Sequence, residues 1–270
     1  MFLLASFVFG TIIGSFANVF VLRYGTGRSL SGRSSCGSCG KQLSWYELVP
    51  VFSWLVQRGR CRSCASRISP QYLVVELVFG VIFALCAYVT NDLWPTTGFA
   101  MGHWSSVFEL VYLWIVSFFL LSLSIYDIKH MIIPDGMLWV LGVLVLVWGS
   151  VGSWGDWRSL SMMLVAGPCV ALPFFVLWLV SQGRWMGFGD IKLAGVIGWM
   201  LGVLGGFSAL VFGTWLGAFV SLAIIGAHRL VSSRGGLTMK SEIPFGPFLV
   251  FGALVVLLMG ITLRTLVFNM

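Results

Sequence analysis

Charge is scarce in this chain. Only 9% of its 270 residues are Asp, Glu, Lys or Arg, whereas a soluble domain carries about a quarter. So few polar groups cannot cover a globular surface, which excludes a soluble enzyme or a free binding module. Histidine is scarcer still. His103, His130 and His228 are the whole set, and none stands in a Ser-His-Asp or HExxH pattern. No small-residue cleavage site follows the first apolar run, so that run is not read as a removable signal peptide. Internal repeats and low-complexity segments are also absent.

What the chain has instead is hydrophobicity: 59% apolar residues and a mean hydropathy of +0.98. Apolar runs of about 20 residues read as membrane spans. They fall near 2–22, 71–90, 108–126, 136–154, 160–181, 190–204, 206–227 and 246–266. The net charge of +7 invites a nucleic-acid partner, but topology accounts for it. Eight of the 16 basic residues lie in 23–70, and cytoplasmic loops collect Lys and Arg. With 23–70 inside, alternation also puts the loops near 127–135, 182–190 and 228–245 inside. Only Arg158 and Arg264 then lie outside. The reading is an all-α polytopic membrane protein of about eight transmembrane helices. Its N-terminus is outside, it carries a small cytoplasmic insert, and it has no nucleic-acid partner. The sixth span is short and interrupted by glycines, which let helices approach closely.

The insert at 23–70 is too small to fold on an apolar core alone. It holds Cys36-Gly-Ser-Cys39 and Cys61-Arg-Ser-Cys64, two CxxC hooks separated by 21 residues. Two such hooks bring four sulfurs to one ion and read as a tetrahedral four-cysteine zinc site, which would supply the missing folding energy. The alternative is a redox pair or unmetallated thiols; the reducing cytosol argues against disulfides. Arg58, Arg60 and Arg62 flank the second hook and favour thiolates. Cys86 and Cys169 fall inside spans as packing residues. Glu47 reads as a surface acid and Gly59 as a turn residue of the second hook.

The nine acids narrow the search. Asp92, Glu109 and Asp156 fall outside, Glu47 in the insert and Glu242 in the last inner loop. Glu76, just within the second span, reads as a partner for a nearby cation such as Arg67. Asp127, Asp135 and Asp190 remain. Asp127 closes the third span and Asp190 opens the sixth, at the same membrane face. Two aspartates at one depth can share a proton and a water, one as general base and the other donating to a carbonyl. Gly187 and Gly189 would let a substrate backbone approach Asp190. The competing reading makes Asp190 a helix N-cap, and for Asp135 an N-cap is the obvious role. Intramembrane acids beside broken helices also suit a transporter.

Taken in order, the motifs resemble the bacterial type IV prepilin peptidases of the GxGD aspartyl protease group, over nearly the whole chain. The matching segments are Gly14-Ser-Phe-Ala-Asn-Val19, Cys36-x-x-Cys39, the run from Trp45 to Trp54, and Gly59-Arg-Cys61-x-x-Cys64. They continue with Ile68-Ser-Pro-Gln-Tyr72 through Glu76, then Asp127 with Ile133-Pro-Asp135, Gly187-Phe-Gly-Asp190-Ile-Lys-Leu193 and Pro244-Phe-Gly-Pro-Phe248. Two positions depart from the pattern: many members have Pro after the first hook's first Cys, and Asn where Leu48 stands.

The resemblance implies an enzyme of the bacterial inner membrane that cuts the short basic leader from prepilins or pseudopilins, after a Gly and before the hydrophobic helix. It then N-methylates the new N-terminus from S-adenosylmethionine. It implies catalytic roles for Asp127 and Asp190 and a supporting one for Asp135. It ties methyl transfer to Gly59, and to Glu47 as the insert's central glutamate. The expected organisation is a first transmembrane helix (1–22), a four-cysteine zinc insert associated with methyl transfer (23–70) and a protease bundle (71–270).

Overall fold

A computed structural model describes the chain except residues 28, 30–31, 91–105, 232–243 and 269–270. Asp92, His103, Arg234, Lys240 and Glu242 therefore lie outside the described residues. The protein is all-α: among the described residues the only strand-like features are two isolated bridges, Ser35 with Gln42 and Arg60 with Arg67. The contacts divide it into two units, which share helix α4 (Ser106–His130) at Phe118/Phe119.

The first unit contains α1 (Phe2–Arg23), the insert with a 3-10 turn (Trp45–Glu47) and a short α2 (Phe52–Val56), α3 (Gln71–Tyr88) and the start of α4. α1 carries no charge before Arg23, and its 22 residues rise about 33 Å, enough to cross a bilayer. It packs on α3 through small residues. A Cβ on Gly10 would fall 2.6 Å from the Phe79 carbonyl oxygen, and one on Gly80 would fall 2.8 Å from Phe7 and Thr11. Removing the side chain is what brings the two helices this close. Trp114 of α4 stacks on Phe83, with ring centroids 5.4 Å apart, and its indole N–H donates to the Phe83 carbonyl at 3.1 Å.

The second unit holds the rest of α4, α5 (Asp135–Gly152), α6 (Trp157–Ser181), α7 (Phe188–Val231), α8 (Gly246–Met259) and α9 (Leu263–Phe268). α6 contains Pro168, which has no N–H for the Leu164 carbonyl four residues back. The Trp199 indole N–H of α7 takes that place, at 3.1 Å. In a membrane a freed carbonyl needs such a partner, because no water supplies one.

One expected span needs correction, and one boundary moves slightly. Spans 190–204 and 206–227 are the two halves of α7, which meet at Gly202 (φ 72, ψ −179), backbone that essentially only glycine adopts. A Cβ on Gly206 would fall 3.2 Å from the Gly198 Cα, so the chain turns back on itself there. The eighth span is shorter than expected: α8 has 14 residues and stops at Gly260 (φ 64), a rise of about 21 Å. Among the described residues, six helices are long and apolar enough to cross a membrane when the two halves of α7 are counted together, and α8 is a shorter apolar one.

Candidate active site and metal centre

Asp127 and Asp190 both fall in the second unit, buried at 5% and 9% exposure. α4 ends just after Asp127 because Met131 turns left-handed (φ 53) while its N–H returns to the Asp127 carbonyl at 2.8 Å. Pro134 then restarts the chain as α5. Asp190 is the third residue of α7, its N–H donating to the Gly187 carbonyl at 3.3 Å. Both carboxylates line one cavity of about 960 Å³, together with Asp135, Lys192, Phe174 and Phe245. They are close enough for the charge on Asp127 to be felt at Asp190.

A third participant went unassigned in the sequence. The Gly246 N–H, at the start of α8, donates to Asp127 Oδ2 at 3.0 Å. The first N–H groups of a helix have no partner within it and favour negative charge. A Cβ on Gly246 would stand 2.7 Å from that same oxygen, so only glycine brings this N–H to the carboxylate without displacing it. The signal was present in the segment Pro244-Phe-Gly-Pro-Phe248, but nothing local ties it to Asp127.

Asp135 is not an N-cap. Pro134 holds that position and no side-chain cap bond is present. As the first helical residue, Asp135 presents its carboxylate to Lys192 at 2.6 Å, the only ion pair among the described residues. Lys192 is the second residue whose part the sequence did not disclose. The two motif glycines differ in role. Gly187 leaves open backbone beside Asp190, a Cβ there reaching only to 3.9 Å from Oδ2. A Cβ on Gly189 would meet Ile133 at 2.9 Å, so that glycine serves packing. Glu76 does not pair with Arg67. Its carboxylate, 6% exposed, accepts the Val51 N–H at 2.7 Å.

The four insert cysteines form one cluster in the first unit, every sulfur within 4.8 Å of the others. Both hooks fold alike. The Cys36 N–H donates to the Lys41 carbonyl and the Cys61 N–H to that of Ser66. The fifth residue of each hook returns its N–H to the first Cys, Gly40 to Cys36 and Ala65 to Cys61, both at 2.9 Å. That fifth residue is left-handed in both, Gly40 at φ 70 and Ala65 at φ 54.

Cys36 and Cys64 sulfurs are 3.8 Å apart. Metal–sulfur bonds of about 2.3 Å in a tetrahedron give an edge of about 3.8 Å, so the donor set fits zinc. Backbone N–H groups of Cys39 and then Ser38 draw the Cys36 thiol down to about 6. Cys39 stands at about 11, because the Cys36 and Cys64 sulfurs outweigh the lowering effect of the Lys41 N–H. Crowded sulfurs thus divide their protons unevenly, and a divalent cation allows all four to ionise.

Gly59 is buried and left-handed (φ 66), and a Cβ on it would fall 2.8 Å from the Trp54 ring. Glu47 is not the surface acid expected: at 9% exposure, it closes a capping box, accepting the Ser44 N–H at 2.9 Å.

Two families match the chain. The bacterial peptidase A24 N-terminal domain covers residues 8–90, and the type IV leader peptidase family covers residues 114–224. A Bacillus subtilis relative called prepilin leader peptidase/N-methyltransferase is 30% identical over 94% of this chain and 93% of its own length. A Stutzerimonas stutzeri protein of the same name is 28% identical over 96% and 91%. An Escherichia coli type 4 prepilin-like proteins leader peptide-processing enzyme is 28% identical over 91% and 89%. No solved structure matches.

Proposed function

Because the chain belongs to the type IV leader peptidase family, we propose that this prepilin peptidase and N-methyltransferase cuts its substrate with Asp127 and Asp190. The substrates are prepilins or pseudopilins. The cut falls after a Gly and before the hydrophobic helix, at the cytoplasmic face of the inner membrane. The bias of basic residues towards the insert's side supports that orientation.

The observation that carries the reading is the burial of two aspartates in one cavity, one of them held by a helix N-terminus. Gly246 occupies Oδ2 of Asp127, which leaves Oδ1 to take a proton from water as that water attacks the scissile carbonyl. Asp190, carrying the pair's shared proton, donates it to the carbonyl oxygen. Collapse of the tetrahedral intermediate breaks the C–N bond. Asp127 gives its proton to the departing amine, and Asp190 recovers the one it lent. Gly187 gives the substrate backbone room. Gly189, through Ile133, and Asp135, through Lys192, keep the wall of the cavity in place.

The peptide segment 23–70 is assigned to methyl transfer and 71–270 to proteolysis. Zinc is a structural ion on Cys36, Cys39, Cys61 and Cys64. When bound, S-adenosylmethionine supplies an electrophilic methyl group to the new amine. Gly59 and Glu47 shape the insert's interior for that step, one by admitting Trp54 and the other by closing the turn at Ser44.

The test uses purified protein in detergent with a prepilin substrate. Asp127→Asn and Asp190→Asn should each abolish leader removal, because an amide can neither take a proton from water nor give one to the carbonyl oxygen. Methylation of an already cleaved pilin should persist. Cleavage near the wild-type rate in either variant would overturn the assignment.

A further inference from the structure

Within the first unit, the stretch from the 3-10 turn through α2 exposes an unusual number of large apolar groups for a loop segment. Trp45 is 79% exposed, Phe52 65%, Leu55 54% and Val56 62%, with Tyr46 and Leu48 also exposed. Phe52, Leu55 and Val56 stand at helical spacing on one face of α2. Trp54 points elsewhere, packing on Gly59. The stripe therefore faces away from the insert's own interior.

The chain fixes the depth of this stripe. The insert runs from Arg23, which ends α1, to Gln71, which begins α3. Glu76 lies five residues into α3, about 7.5 Å along its axis. Its buried carboxylate holds the Val51 N–H at 2.7 Å, immediately before α2. The backbone bends to make that contact. Val51 is left-handed (φ 62, ψ −54), and the Phe52 N–H closes back on the Pro50 carbonyl at 2.6 Å. This is a γ-turn of the rare, strained sense, and a β-branched residue at such a φ is a genuine outlier.

An interfacial segment buries its apolar face about 5–10 Å into the headgroup region, and Glu76 fastens α2 about that far along a membrane-length helix from its first residue. The same insert carries Arg58, Arg60, Arg62 and Arg67, all exposed and in no ion pair among the described residues. Arg62 lies 5.3 Å over the Tyr46 ring. Trp and Tyr with nearby cations are the side chains that favour the headgroup layer of an anionic bilayer.

We propose that residues 45–56 form a membrane anchor lying in the interface of the leaflet on the insert's side, with Glu76 setting its depth and surrounding phospholipid as its occupant. The anchor holds the cysteine module against the bilayer surface. Where the methyl-transfer reading above also holds, it keeps that module beside the point where a substrate amine leaves the membrane.

The test is photo-crosslinking in the full-length protein. Benzoylphenylalanine replaces Phe52, Leu55 or, as a control on the exposed first hook, Ser38. Each protein is reconstituted in nanodiscs containing phosphatidylglycerol, confirmed to hold the wild-type amount of zinc, and irradiated. Intact-mass spectra should show phospholipid adducts from positions 52 and 55 and at most a tenth as much from 38. Adducts to a second copy or to an added pilin peptide, or equal lipid labelling at all three positions, would overturn the proposal, as would the absence of any adduct at 52 and 55.

Discussion

Gly246→Ala is the substitution that separates a positioned carboxylate from a merely buried one. Gly246 is helical, so alanine there meets no backbone penalty, and the whole effect is steric. The new methyl would lie 2.7 Å from Asp127 Oδ2 and 3.4 Å from Ile133 Cδ1. To restore an ordinary contact of 3.4 Å, the carboxylate has to retreat by about 0.7 Å, lengthening the bond now made at 3.0 Å. A displacement of about 1 Å at a reacting group costs on the order of 100-fold. Weakening a hydrogen bond to a charged group costs about 1.5–3 kcal/mol, or roughly 10- to 150-fold. The two routes agree on a loss of roughly 10- to 100-fold in kcat for leader removal. KM should change little, because the new methyl meets only Asp127 and Ile133. The assay is single-turnover cleavage of a prepilin by purified protein, with methylation of a pre-cleaved pilin as the control for folding. A kcat within twofold of wild type, at unchanged methylation, would refute the view that the α8 N-terminus orients Asp127.

Cys61→Ser should remove zinc and loosen the insert, lowering methylation far more than cleavage; strictly proportional losses, read by mass spectrometry of the pilin product, would put the insert in the protease site. Asp135→Asn and Lys192→Gln should each lower cleavage only about two- to fivefold, since a half-exposed ion pair is worth up to about 1 kcal/mol, and the double variant should be no worse than either single one. If Asp135→Asn abolished cleavage while Lys192→Gln had no effect, Asp135 would belong to the chemistry itself. Ala65→Gly relieves a left-handed alanine in the second hook and should stabilise the metal centre by about 0.5–1 kcal/mol. Zinc loss would then need a roughly two- to fivefold higher chelator concentration, and an unchanged requirement would show that the strain is absorbed elsewhere.

Much of this protein was legible along the chain because the relevant physics is local. Membrane spans follow from runs of consecutive apolar residues, and the cysteine hooks from a spacing of three. Asp127 and Asp190 stand out because so few carboxylates lie at the ends of spans. The break in α7 was legible too, because glycines interrupt the run near 202–206, and the structure only moves it to Gly202. The early stop of α8 at Gly260 was less legible, because the apolar run continues to 266. Tertiary structure alone decided what each polar group does. Gly246 reaches Asp127 across 119 residues, Lys192 reaches Asp135 across 57, and Val51 reaches Glu76 across 25. No periodicity or spacing encodes such pairs. In an apolar interior a buried carboxylate must find a donor somewhere, and which donor it finds depends on how the helices pack. Asp135 shows the difference most plainly: its position before a helix suggested a cap, but Pro134 took the cap and the fold gave its carboxylate to a lysine on another helix.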